Sequence, residues 1–323
     1  MMKRLTMTLV AVASVVLVSG CGAATPENSA EPGAAGLTPV TVGAIPIGDV
    51  APLHLGLAEG FFEDEGIDLS IETISGGAVA VPGVVSGSFD FAFGNTVSLM
   101  VAQDKGLDLK YVTNGTTSTG SSDADFAGVV VMDDSAIETA TDLEGKTVSS
   151  NNLSNIGDTS IRTAVDNAGG DGASLTFVEV AFPNALAALE TGQIDAALIL
   201  EPFLTPALQN GARVVSWNYA ETHENLDIGG YFTTGDVIKD SPELVASFAA
   251  AMNRSLEYAQ EHPAEVRTAI GTYTEIPADV LDQITLPRFT TEFDRDAAAV
   301  LGAAAVKYGT ISQAPDLDAL LPS

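Results

Sequence analysis

Gly66-Ile-Asp-Leu-Ser-Ile71, running through Gly76-Gly77-Ala78 to Ser86-Gly-Ser-Phe-Asp-Phe-Ala-Phe93, is matched later in the chain by Leu175-Thr-Phe-Val-Glu-Val180, Pro183-Asn184-Ala185 and Thr191-Gly-Gln-Ile-Asp-Ala-Ala-Leu198. Each stretch is an apolar strand, a turn, an Ala/Val-rich helix and then Gly-x-x-Asp leading into a second apolar strand. A strand, a helix and a buried parallel strand make a right-handed crossover unit. Two such units so far apart imply two similar lobes. Open α/β sheets bind ligands beyond the carboxyl ends of their strands, so two facing lobes make a cleft shaped for a small molecule.

The 323 residues, 46% hydrophobic, suffice for two cores. With 43 acidic and 13 basic residues the formal charge is −30, which repels phosphate backbones and anionic membrane surfaces and argues against a nucleic-acid partner.

At the amino terminus Lys3 and Arg4 precede an apolar run from Leu9 to Val18, then Ser19-Gly20-Cys21. The run is short for a bilayer span, and 1–20 reads as a signal peptide. Cys21 is the single cysteine of the chain, so an internal disulfide is excluded. Residues 21–38 are small, polar and punctuated by Pro and Gly, a flexible tether with a span of about 20 to 25 Å.

Helical apolar spacing predicts a helix over 52–65, after the loop Gly48-Asp49-Val50. Strands are predicted over 40–45, 68–73, 89–93, 109–113 and 126–132, with helices over 78–86 and 96–104. A second lobe follows, with a helix over 157–168, a strand over 175–180, a helix over 184–191 and a strand over 195–200. The last hundred residues are mostly helical, Pro242 and Pro277 opening helices. The expected division is 39–130 plus 225–323 as lobe 1 and 131–224 as lobe 2. Hinge segments fall near 116–122, which includes Thr117, and near 224–230.

The run Ala51-Pro-Leu-His-Leu-Gly-Leu-Ala-Glu-Gly-Phe-Phe-Glu-Asp-Glu-Gly-Ile-Asp-Leu69, the segment Gly87 to Ala92, Asp142-Leu-Glu-Gly-Lys-Thr-Val148 and Asp195-Ala-Ala-Leu-Ile-Leu-Glu-Pro-Phe203 together resemble the substrate-binding lipoproteins of ABC importers. Within them the chain is similar to the group that binds nitrate, sulfonates and thiamine precursors. The resemblance implies a two-lobed type II periplasmic-binding fold with a hinge and an interlobe cleft. It also implies a monomer that delivers a solute to a membrane permease driven by a separate ATPase, and the chain has no Gly-x-x-x-x-Gly-Lys-Ser/Thr loop of its own. In such lipoproteins the matching cysteine, here Cys21, carries the lipid that holds the protein to the outer face of the cell membrane.

Helix starts facing the cleft offer free backbone N–H groups. The candidate ligand-binding positions are Gly48, Asp49, Val50, Gly76, Gly77, Asn95, Thr96, Thr117, Asn155, Ile156, Gly157 and Asp158. Glu201 joins them, ending an apolar strand where a carboxylate needs a partner. Phe182 and Phe203 offer flat faces to a planar ligand, and Tyr231, near the return crossing, is expected to close the cleft. Asp49, Asp158 and Glu201 sit on these loops and no lysine or arginine does, which favours a nitrogenous, aminopyrimidine-like solute. The alternative is an anion, a sulfonate, nitrate or aromatic carboxylate, held by helix starts. Rival classes are an enzyme resembling thiamine-pyrimidine synthases and a sensor lipoprotein. No catalytic residue, cofactor or metal is expected: His54, His223 and His262 lack metal-ligand spacing, and the cysteine-rich segment of the pyrimidine-synthesising enzymes is missing.

Overall fold

The computed structural model describes residues 36–322, so the expected signal peptide, Cys21 and most of the tether lie outside the described residues. The chain runs β1 (Thr38–Ala44), α1 (Ala51–Ala58), α2 (Phe61–Asp64), β2 (Ile67–Thr73), α3 (Gly77–Val85), β3 (Phe91–Asn95), α4 (Thr96–Asp104) and β4 (Leu109–Thr117). Next come β5 (Ala127–Met132), β6 (Thr147–Ser150), α5 (Ile156–Asn167), β7 (Thr176–Glu179), α6 (Phe182–Glu190), β8 (Ala196–Leu200), α7 (Leu204–Gln209), β9 (Ala212–Ser216) and α8 (Asn218–Thr222). Last are β10 (Asp227–Thr234), α9 (Gly235–Asp240), α10 (Pro242–Glu261), α11 (Pro263–Tyr273), α12 (Ala278–Leu281), β11 (Arg288–Phe289), α13 (Arg295–Lys307) and α14 (Leu317–Leu320).

Two mixed sheets form, in the orders β11-β4-β10-β3-β1-β2 and β7-β6-β8-β5-β9. The sequence repeat accounts for the matching triplets β2-β1-β3 and β7-β6-β8, parallel in both sheets. Its aspartate has one task in each. Asp90 accepts a hydrogen bond from the Thr41 amide at 2.7 Å, and Asp195 accepts one from the Thr147 amide at 2.8 Å, so each clamps the entry of its strand to the strand beside it. Gly87 and Gly192, at φ 73° and 66°, take the left-handed conformation that ends the preceding helix.

Each sheet is completed by an antiparallel strand that the chain lays down just after crossing over: β5 beside β8, and β10 between β3 and β4. β10 corrects the expectation of a hinge running to residue 230. Gly229 and Gly230 lie inside the strand, and a β-carbon would stand 2.5 Å from the Gly94 carbonyl at Gly229 and 2.4 Å from the Thr113 carbonyl at Gly230. These glycines let three strands approach closely. The expected helix over 52–65 is two helices, because Gly60 takes φ 77° between them.

The apolar faces pack on both sides of each sheet. Phe91 of β3 stacks on Phe248 of α10 with ring centres 3.9 Å apart, and Leu99, Met100 and Phe232 fill the opposite face.

The crossings at 118–126 and 223–226 are bound to each other. Ser118 donates its amide to the Leu226 carbonyl at 2.9 Å. Arg288 of β11 donates to the Ser118 carbonyl at 2.7 Å and to the Glu224 carbonyl and Asn225 Oδ1, both at 3.0 Å. One guanidinium thus straps both segments. Arg288→Ala is expected to cost about 1–3 kcal/mol, the usual worth of charge-assisted hydrogen bonds, read as a lower urea midpoint; an unchanged midpoint would remove the strap.

Candidate ligand-binding cleft

The carboxyl ends of β1 and β3 on one side and of β6 and β8 on the other face a cavity of about 40 Å³. The turn Gly48–Val50 places Asp49 in it, wholly buried, with neither carboxylate oxygen hydrogen-bonded. Loss of water pushes its pKa up to about 7, and the Asp125 charge adds to the rise. Asp49's own backbone amide opposes the rise first and the Thr116 hydroxyl second; the Thr116 hydroxyl donates to the Asp49 carbonyl at 3.3 Å. Tyr219, also lining the cavity, is pushed well above the usual phenol range by burial first and the Asp49 charge second.

The starts of α3, α4 and α5 reach the same cavity through Gly76, Gly77, Asn95 and Ile156. Gly76 takes φ 142°, and a β-carbon there would come within 2.5 Å of Asn152 Oδ1 across the cleft. Asn95 lines the cavity while its Oδ1 caps α4, accepting from the Ser98 amide at 2.9 Å. The Asn155 side chain exchanges hydrogen bonds with the Ser98 hydroxyl from the opposite side, at 3.0 and 3.2 Å.

Other sequence candidates have different tasks. Glu201 is buried as expected, but its carboxylate accepts from the Thr205 amide at 3.0 Å, the Thr205 hydroxyl at 2.6 Å and the Thr285 amide at 3.4 Å. It caps α7 and ties it to the carboxyl-terminal segment, and it does not line the cavity; Gly48 meets it through the Glu201 carbonyl at 3.0 Å. Asp158 is bound at the start of its own helix, accepting from the Ser154 amide at 2.9 Å and the Asn155 amide at 2.6 Å. Gly157 lets α5 approach its sheet, since a β-carbon would meet Ser150 Oγ at 2.1 Å. Thr96 and Thr117 are structural: their hydroxyls donate to the Asp227 carbonyl at 3.0 Å and the Asp227 carboxylate at 2.7 Å. Val50 is core.

Tyr231 corrects the expectation of a closing residue. Its ring lies inside the first lobe, edge-on to Phe93 at 5.5 Å, because β10 is a central strand. Its buried hydroxyl has no partner, and the Asp49 charge adds to the upward shift that burial causes. His54 stacks on Tyr273 at 4.0 Å and is pushed down to about 4 by burial.

Phe182 also lines an adjoining outer groove of about 350 Å³, walled by Pro46, Ile74, Phe182, Pro183 and Phe203. Asn151 lines both spaces and escaped the sequence reading. The polar run Ser149-Ser-Asn-Asn152 at the carboxyl end of the parallel strand β6 is the signal that could have found it. Neither space is lined by lysine or arginine. Arg162 is turned away, donating to the Gly172 carbonyl at 2.6 Å.

Two sheets of like topology, facing each other across a cleft lined from both sides, define a periplasmic-binding-protein fold. The chain belongs to the family described as NMT1/THI5 like, whose model matches residues 48–266. A Bacillus subtilis (strain 168) protein named as a candidate aliphatic sulfonates-binding protein is 24% identical over 281 residues, covering 85% of this chain and 80% of that protein. The periplasmic aliphatic sulphonate binding protein SsuA of Escherichia coli superposes with a TM-score of 0.68 at 18% identity, over 87% of this chain and 96% of that one. The periplasmic nitrate-binding protein NrtA of Synechocystis PCC 6803 gives 0.73 at 12% identity, over 88% and 86%. Among the described residues no helix is long and apolar enough to cross a membrane.

Proposed function

We propose that the protein is the solute-capturing component of an ABC importer, taking up a small molecule that presents an N–H donor or ammonium group to Asp49. The unpartnered, buried Asp49 carboxylate carries this reading: a charge there costs several kcal/mol unless a ligand supplies the counter-charge or hydrogen bonds. No catalytic step, cofactor or nucleic acid enters. The protein acts as a monomer, its two lobes, one built on each sheet with β5 in the second, closing on the ligand, and passes its cargo to a permease and its ATPase.

The names of the relatives and the three helix starts support a second reading, an anionic ligand held by backbone N–H groups, with protonated Asp49 donating to it. Native mass spectrometry of freshly purified protein gives the mass of a retained solute. Solution scattering with that solute should show a smaller radius of gyration, and an unchanged radius would contradict closure.

The anchor is proposed from Cys21 and the tether. Cys21→Ser is expected to move the protein from the membrane to the soluble fraction with ligand affinity intact, and retention of the variant at the membrane would defeat it.

A further inference from the structure

The cleft is built in two unlike parts. The inner space, about 40 Å³, holds Asp49 and the starts of three helices, and admits little more than a small polar group. The outer groove, about 350 Å³, is walled by Pro46, Ile74, Phe182, Pro183 and Phe203, with Thr73, Ser75 and Asn151 as its polar side chains. The two share Ile45, Ile47, Asn151 and Phe182 as a common wall, three apolar residues and one amide, so the two spaces adjoin.

An apolar cavity of roughly 150 Å³ accepts a benzene ring, so the groove has room for a ring or a short branched chain. A purely polar solute would leave Phe182 and Phe203 bordering water and gain nothing from them. An apolar group without a polar head would leave the Asp49 carboxylate as unsatisfied as before.

Resting on the Asp49 reading above, we infer that the ligand is amphiphilic: a primary ammonium or amidine-like head seated on Asp49, joined through one or two carbons to an aromatic or branched aliphatic body lying between Phe182 and Phe203. Each methylene moved from water into the groove raises affinity about fourfold, so the body, and not the head, ranks one ammonium compound above another.

The test is calorimetric titration of the ligand-stripped protein with methylammonium, propylammonium, benzylammonium and 2-phenylethylammonium chlorides, with sodium benzenesulfonate and sodium nitrate alongside. Affinity is expected to climb along the ammonium series, benzylammonium binding at least about thirtyfold more tightly than methylammonium. Phe203→Ala, with folding checked by its melting curve, should reduce the benzylammonium-to-methylammonium affinity ratio about tenfold. Should Phe203→Ala fail to fold, the wild-type series decides by itself. Equal affinity along the ammonium series overturns the apolar body and leaves the Asp49 reading standing. Binding of benzenesulfonate or nitrate with no ammonium compound bound overturns both, and failure of every compound to bind overturns the amphiphilic ligand.

Discussion

The Asp49→Asn protein is expected to bind an ammonium ligand roughly 10- to 150-fold more weakly than wild type, the range that a charge-assisted hydrogen bond spans. Asparagine keeps the shape of the side chain and removes the charge that the cleft otherwise leaves without a partner. Wild-type affinity for such a ligand should rise with pH through about 7, because Asp49 must release its proton to pair with the cation. Calorimetry in buffers of different ionisation enthalpy would register that proton. For an anion held by the starts of α3, α4 and α5 both signs reverse: Asp49→Asn binds equally well or better, and wild-type affinity falls as pH rises. Unweakened binding of an ammonium ligand by the variant would end the case for Asp49 as its partner.

The same substitution should stabilise the ligand-free fold in alkali. The Asp49 pKa is raised from 3.8 to about 7, so between those values the native state holds a proton that the unfolded chain releases. Stability is therefore complete below about pH 4 and is lost as pH climbs to 7. Wild type and Asp49→Asn should unfold alike near pH 4 and differ by on the order of 4 kcal/mol at pH 8, with the variant the more stable. Asp158, Glu201 and Asp227 are also shifted upward, chiefly by burial, and they lower wild-type and variant stability alike as pH rises above the ordinary carboxylate range. Urea midpoints across pH separate the Asp49 part as the difference between the two proteins. A difference that stays constant with pH would show that Asp49 is not the titrating group.

The fold was legible wherever the chain repeated itself. Apolar runs and Gly-x-x-Asp located β2, β3, β7 and β8 and their parallel order, since period and punctuation are local signals. β10 was hidden because Gly229-Gly230 fell within the expected hinge near 224–230, while the reason for the two glycines, the crowding carbonyls of Gly94 and Thr113, lies on strands distant in sequence. Gly60 was hidden for the opposite reason: apolar spacing continues from Leu57 to Phe61 across it. In the cleft, position was readable and partnership was not. Asp49 and Glu201 look alike in the sequence, each an acid following an apolar strand. A threonine four residues on satisfies Glu201, whereas nothing among the described residues hydrogen-bonds the Asp49 carboxylate.

The place of β10 in its sheet also sets an order of assembly. All strands of the second sheet lie between residues 127 and 216 and are complete before β10 is synthesised. The first sheet at that moment is two fragments, β2-β1-β3 and β4 alone, with open edges where β10 belongs. A nascent chain shorter than 234 residues therefore carries every strand of the second sheet beside a first sheet in two pieces, and β10 is the keystone that joins those pieces.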